Sequence, residues 1–219
     1  ISDRDRYRVN TVVQVTPIGA LGITGTIISG NDTRPNAAFG LAYSKQRGYT
    51  VGIDAVPHDG TTLGLTYGFE DYQTLQNSRQ ASTGTQFNDP TRNWSDSGFD
   101  RVHTISASAD FTTLVPRTAV NLSYDRSFAR DRYVYAVPAN STLAPISQLP
   151  GLLNDRERGT AEVKYRLRRD LTASLVYWYD HYRVDDFAFG EGTLSRLDLA
   201  GALLLGNVYR PYTMNTFTL

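Results

Sequence analysis

The side chains in this sequence that could do chemistry are few and scattered. His58, His103 and His181 are its only imidazoles, and it has no cysteine. A haem iron or a transition metal needs ligands that converge on one point. His58 follows Pro57 in a turn sequence, His181 ends an aromatic segment, and His103 stands alone between Asp100 and Asp110. Each therefore reads as an ordinary polar side chain rather than a ligand. Without cysteine there is no disulfide framework, no thiolate site and no C-x-x-C-H for covalent haem attachment, so a redox cofactor would have to sit on another chain. Serines are plentiful, but no Ser, His and Asp are spaced to meet as a hydrolase triad. Asp185-Asp186, or Asp96 with Asp100, offer carboxylate oxygens for calcium; neither pair matches an EF-hand loop, and both read as solvated loop acids. The catalytic, cofactor-binding and metal sets are empty on this reading, and the chain is expected not to be an enzyme. One charged constellation does have regular spacing. Glu162, Lys164, Arg166 and Arg168 occupy alternate positions, with Asp180 on the segment that folds back beside them. Residues two apart on a strand share a face, so these charges line one side of a wall. They could pair with carboxylates such as haem propionates or an acidic protein surface, or they could face water and tune ion passage.

The element that positions them runs from Thr160 to Asp180, two strands folded back through Arg168, Arg169 and Asp170. In the first arm Ala161, Val163, Tyr165 and Leu167 alternate with the charged set. In the second, Leu171, Ala173, Leu175, Tyr177 and Tyr179 alternate with Thr172, Ser174, Val176, Trp178 and Asp180. This is the period of a strand with one apolar face, and each arm has about the length a tilted strand needs to cross a bilayer. The apolar face either packs on a second sheet in a soluble sandwich or faces lipid around a barrel.

Similar patterns recur along the chain. Strands are predicted over Tyr7–Thr16, Leu21–Ser29, Gly48–Val56, Thr61–Glu70, Arg101–Phe111 and Thr118–Ser127, with a ninth over Tyr209–Leu219. Polar stretches rich in Asn, Asp, Gly and Pro at Gly30–Arg47, Tyr72–Asp100, Arg130–Arg158 and Arg183–Leu203 read as loops. The 22 Lys plus Arg balance 22 Asp plus Glu, which gives no bias toward nucleic acid. No apolar run approaches the length of a membrane helix. The negative mean hydropathy excludes no barrel, because a barrel strand is apolar only at alternate positions.

Two patterns favour the barrel. Connections near Pro17, Pro57, Leu114 and Arg169 are short, and those between them are long and polar, as periplasmic turns and extracellular loops alternate in outer-membrane barrels. The apolar-face aromatics also sort by height: Tyr7, Tyr49, Tyr67, Phe69, Tyr124, Tyr177 and Tyr179 fall toward the long-loop end, Phe111 and Tyr165 toward the turns, with aliphatic residues between. That is an interfacial girdle around an aliphatic band. The expectation is an all-β, antiparallel, up-and-down transmembrane barrel of about nine visible strands, one domain over residues 1–219. Single-chain bacterial barrels have an even strand number, so the domain is expected to be incomplete at both ends and to belong to a larger barrel.

Several segments carry a resemblance. Asn88-Asp89-Pro90-Thr91-Arg92-Asn93-Trp94, Gln148-Leu149-Pro150, Tyr177-Trp178-Tyr179-Asp180, Tyr182-Arg183-Val184-Asp185-Asp186-Phe187-Ala188 and Gly206-Asn207-Val208-Tyr209-Arg210-Pro211-Tyr212-Thr213 resemble the C-terminal half of the MtrB/PioB family of outer-membrane barrels. The resemblance implies a bacterial outer-membrane location and an insulating sheath around a periplasmic multihaem c-type cytochrome, with an extracellular cytochrome as a further partner. Haem c would then be on the partner and none on this chain, and Glu162, Lys164, Arg166, Arg168 and Asp180 are the expected lumen-facing contacts. A diffusion porin or small-solute channel is the alternative.

Overall fold

The computed structural model describes residues 3–144, 148–186 and 211–219. Among these, nine strands lie side by side in chain order in a single sheet: β1 (Asp5–Ile18), β2 (Leu21–Thr33), β3 (Gly40–His58), β4 (Thr61–Arg79), β5 (Asn93–Val115), β6 (Thr118–Ala136), β7 (Leu152–Arg166), β8 (Thr172–Asp185) and β9 (Tyr212–Thr218). Every neighbouring pair is antiparallel. Two short 3-10 segments, Gly84–Asn88 and Pro90–Arg92, sit between β4 and β5. None of the described helices is long and apolar enough to cross a membrane. β1 and β9 are the two edges of this sheet.

The register turns the period-two pattern into a continuous apolar face. Leu21, Ala55, Leu63, Ala109, Leu122, Ala161, Tyr177 and Phe217 are successive partners across eight strands. So are Val15, Ile23, Ile53, Leu65, Ala107, Tyr124, Gly159 and Tyr179. A slip of one residue in any ladder would turn that strand's apolar side chains to the wrong face, so the pattern itself pins the register. Among the described residues no second sheet covers this face, and no hydrophobic side chain is buried. Val51, Leu65 and Leu175 remain 45%, 53% and 45% exposed, so the packed core that a sandwich requires is missing. An apolar sheet face this extensive needs a nonaqueous cover, and lipid supplies one.

The long connections differ from expectation. β3 and β4 each have 19 residues and β5 has 23, so most of Gly30–Arg47, Tyr72–Asp100 and the start of Arg130–Arg158 is strand, not loop. Crossing the membrane takes about 9–11 residues, and the rest rises beyond it. Above the lipid no alternation of polarity is required, but backbone groups still need partners. The ladder continues through polar sequence such as Gln73, Thr74, Gln76 and Asn77 opposite Phe99, Gly98, Asp96 and Ser95. Among the described residues, the long connections keep true loops where Pro35, Pro90 and Pro138 interrupt pairing. The predicted loop Arg183–Leu203 gives way to strand as far as Asp185; residues 187–210, including the start of the predicted ninth strand, lie outside the described residues.

At the opposite end the turns are tight. Asp59-Gly60 connects His58 to its partner Thr61, with Gly60 at φ 75, a conformation open to glycine without strain. Pro116-Arg117 connects Val115 to Thr118; proline presets the first turn position, and Arg117 takes φ 66 at the second.

Candidate functional site

The face opposite the apolar one is the inner wall, and its character changes along the sheet. From β2 to β5 it is built of small residues. Gly52 pairs with Thr24 and Thr66, Gly64 with Asp54 and Ser108, and Gly68 with Thr50 and Thr104. A Cβ on Gly64 would lie 2.6 Å from Ser108 Oγ, and one on Gly52 would lie 3.3 Å from Thr66 Oγ1. The glycines thus leave room for the short hydroxyl side chains of the neighbouring strands to lie flat.

From β7 to β9 the wall is charged and bulky. Lys164 Nζ pairs with Glu162 Oε2 at 3.0 Å. Glu162 also accepts from Ser174 Oγ at 3.0 Å and from Asn121 Nδ2 at 3.5 Å. Asp180 is held by Arg156 at 2.7 Å and Arg158 at 3.3 Å, and Arg156 donates to the Tyr212 hydroxyl at 3.4 Å. Glu162, Lys164 and Asp180 therefore stand on the face opposite the apolar one, and each is paired. Arg166 ends β7 opposite Thr172. Arg168 leaves the wall, because the ladder stops at Arg166 and Arg168 belongs to the turn, its N–H donating to the Leu171 carbonyl at 3.1 Å. Trp178 and Met214 also point inward, 48% and 44% exposed. Arg156 and Arg158 are additions, since they fell in a stretch read as loop. Counting backward by twos from Lys164 and Glu162 would have found them.

Higher on the same face, above the level of the outer aromatics, Asp100 and Asp131 are direct partners across β5 and β6, and Asp96 lies four residues along β5. One oxygen of each is buried without a hydrogen-bond partner. Burial first, and Asp100 second, push the Asp131 carboxyl up to about 7; burial also raises Asp96. Asp96 and Asp100 are thus wall residues rather than solvated loop acids, because β5 starts at Asn93. A carboxyl that keeps its proton donates a hydrogen bond and is a poor cation ligand. No group of three His, Cys, Asp or Glu among the described residues is placed to hold a metal. Asp185 is on the apolar-face side opposite Leu153, away from this cluster.

The histidines do not meet. His58 closes β3 at a turn. His103 is on the apolar face, stacked on Phe128 at 4.6 Å, with the Tyr67 hydroxyl 2.8 Å from Nδ1. His181 Nδ1 lies 2.8 Å from Thr213 Oγ1. The nine named aromatics all fall on the apolar face. Tyr7, Tyr49, Tyr67, Phe69, Tyr124, Tyr177 and Tyr179 lie on the long-strand side, and Phe111 and Tyr165 near the tight turns, paired with Val120 and Thr118. Tyr49–Phe69, Phe69–His103 and His103–Phe128 centroids are 5.6, 4.9 and 4.6 Å apart, so His103 and Phe128 extend the girdle that the sequence marked only in part.

Comparison with known proteins agrees with this geometry. The family model described as "Putative outer membrane beta-barrel porin, MtrB/PioB" matches residues 1–219. No curated protein sequence matches significantly. Among solved structures, the chain described as "Copper transporter OprC" superimposes with a TM-score of 0.62 at 10% identity, over 99% of this chain and 32% of that one. The chain thus spans about a third of that barrel's length, and at this identity the likeness concerns the fold.

Proposed function

This chain belongs to the MtrB/PioB family of outer-membrane β-barrels, and from that premise we propose that it is part of an insulating sheath for trans-outer-membrane electron transfer. A multihaem c-type cytochrome from the periplasm occupies the lumen, and an extracellular cytochrome can meet it at the outer rim. Haem c is carried by these partners, since a chain without cysteine has no thiol to bind haem covalently. The barrel performs no catalysis; its work is to hold the electron carrier and keep lipid and ions from it.

The observation that carries this reading is the inner wall. A water-filled porin gains nothing from a tryptophan and a methionine exposed on its lumen side, whereas a protein surface docked there buries them. The flush β2–β5 wall admits a folded partner close to its backbone. The ion-paired groups of β7–β8 provide directional hydrogen-bonding partners at fixed positions.

The test uses the full-length polypeptide extracted from its native membrane. It should carry haem absorbance, and in vesicles it should let an external donor reduce an enclosed acceptor while passing little ionic current. A preparation without haem that conducts ions steadily in planar bilayers would replace the sheath with a porin.

A further inference from the structure

The outward face bears a concentration of positive charge at one level. Immediately above the aromatic row Tyr49, Phe69, His103 and Phe128, the next row on the same face is Arg47, Asp71, Arg101 and Arg130, each the direct partner of the one before. One step higher, Lys45, Gln73, Phe99 and Arg132 follow in the same way. Five cations thus share this patch with one carboxylate. Asp71 engages Arg101 at 3.1 Å, leaving that arginine 68% exposed. Lys45 and Arg132 lie over the Tyr43 and Phe99 rings at 4.8 and 5.1 Å, which orients them without neutralising them. Arg47 and Arg130 form no ion pair among the described residues.

Arg101 and Arg130 stand directly opposite each other in the β5–β6 ladder, where like charges repel. A wall facing only water or hydrocarbon has no reason to place them so. Two residues along a strand span about 7 Å, and an aromatic girdle sits at headgroup depth. The patch is therefore held where lipid headgroups are, on the side of the long strands, which in an outer-membrane barrel is the outer leaflet. Arginine matches phosphate through paired, planar hydrogen bonds.

We propose that Lys45, Arg47, Arg101, Arg130 and Arg132 form a binding site for the phosphorylated glucosamine headgroup of outer-leaflet lipopolysaccharide, with a phosphate seated between Arg101 and Arg130. The site rests on the outer-membrane fold alone and is independent of what fills the lumen. It fixes the depth of the barrel and seals its lipid boundary on this side.

The full-length barrel, in the complex it is extracted with, is exchanged into vesicles of phosphorylated lipid A, dephosphorylated lipid A or phosphatidylglycerol, and retained lipid is counted by native mass spectrometry. Phosphorylated lipid A should be retained over both others by roughly tenfold or more, and millimolar inorganic phosphate should not displace it. Arg47→Gln with Arg101→Gln and Arg130→Gln should abolish the preference, while Arg169→Gln, in the turn between β7 and β8 at the opposite end of the strands, should leave it intact. Equal retention of the three lipids by the unaltered protein overturns the proposal without any variant having to fold. So does an undiminished preference in the triple variant, or displacement by free phosphate.

Discussion

The inner wall between β2 and β5 and the inner wall between β7 and β9 use the same backbone for opposite ends. In the first, glycine, serine and threonine keep the surface level with the strands, and Gly64 packs so closely on Ser108 that a Cβ would lie 2.6 Å from its hydroxyl. In the second, long side chains rise from the wall and are fixed by one another, as Arg156 and Arg158 are by Asp180. A level wall excludes nothing on its own and lets a bulky body approach. A wall of ordered, paired charges costs side-chain entropy to hold, and that ordering is worthwhile where a partner reads their positions. On the proposed sheath reading, β2–β5 give a partner clearance and β7–β9 give it grip.

The strongest way to break it is to fill the clearance. Ser106→Trp places an indole on the flush wall between Thr66 and Asp125. It should remove most of the haem that copurifies with the full-length barrel, measured by absorbance per barrel, while the barrel still inserts and resists heat as before. Thr172→Trp, by the turn at the far end of the charged wall, should change haem content little. Equal loss from both would mean that the two halves of the wall do not differ in this way.

Next in size is the contrast between the wall's two faces. Leu175 pairs with Val163 on the apolar face, and Ser174, beside it in sequence, pairs with Lys164 inside. Leu175→Arg should cost about 2–4 kcal/mol at mid-depth. Ser174→Arg should cost much less, because Glu162 is already within hydrogen-bond reach of that position. Denaturant unfolding in lipid vesicles measures both.

A smaller effect is expected within the grip itself. Asp180→Asn removes the shared partner of Arg156 and Arg158, which are 37% and 54% exposed. For pairs this open, the stability loss should be no more than about 1 kcal/mol. The clearer readout is the partner: haem retention at raised salt should fall in the variant before it falls in the unaltered protein.

How much of this was legible depends on what each segment had to do. Where lipid imposes alternation, as in Tyr49, Val51, Ile53 and Ala55, the face of each side chain followed from the residues alone. Where strands leave the membrane, β4 continues through Gln73, Thr74, Gln76 and Asn77 with no apolar rhythm, and only backbone pairing with β5 holds it. Hydropathy cannot distinguish that from loop. The same blindness placed Asp96 and Asp100 in solvent, whereas Arg156 and Arg158 were hidden because their neighbours on the other face, Asp155, Glu157 and Gly159, are not apolar. Arg168 is the reverse case: alternation carries the charged face two residues past Arg166, where the ladder ends.

The most local expected effect concerns the upper end of the β5–β6 wall, where the two modes meet. Asp100 and Asp131 face each other without an interposed cation, and the Asp131 carboxyl is raised to about 7, against about 3.9 for an unfolded aspartate. Between those values the folded rim holds a proton that the unfolded chain has released. Its stabilising contribution is therefore complete below about pH 4 and is lost as pH rises through about 7. The extended tops of β5 and β6 should accordingly open more readily at pH 8 than at pH 5.5. Amide exchange over residues 96–101 and 129–134, corrected for the intrinsic pH dependence of exchange, should show this. The membrane-level amides of the same strands should show no comparable change. Asp131→Asn keeps a hydrogen-bond donor and cannot ionise, so it should hold the rim closed at both pH values. If the variant opens with pH as the unaltered protein does, the acid pair does not control the rim. The level wall then continues unbroken above the membrane, with no titrating upper boundary.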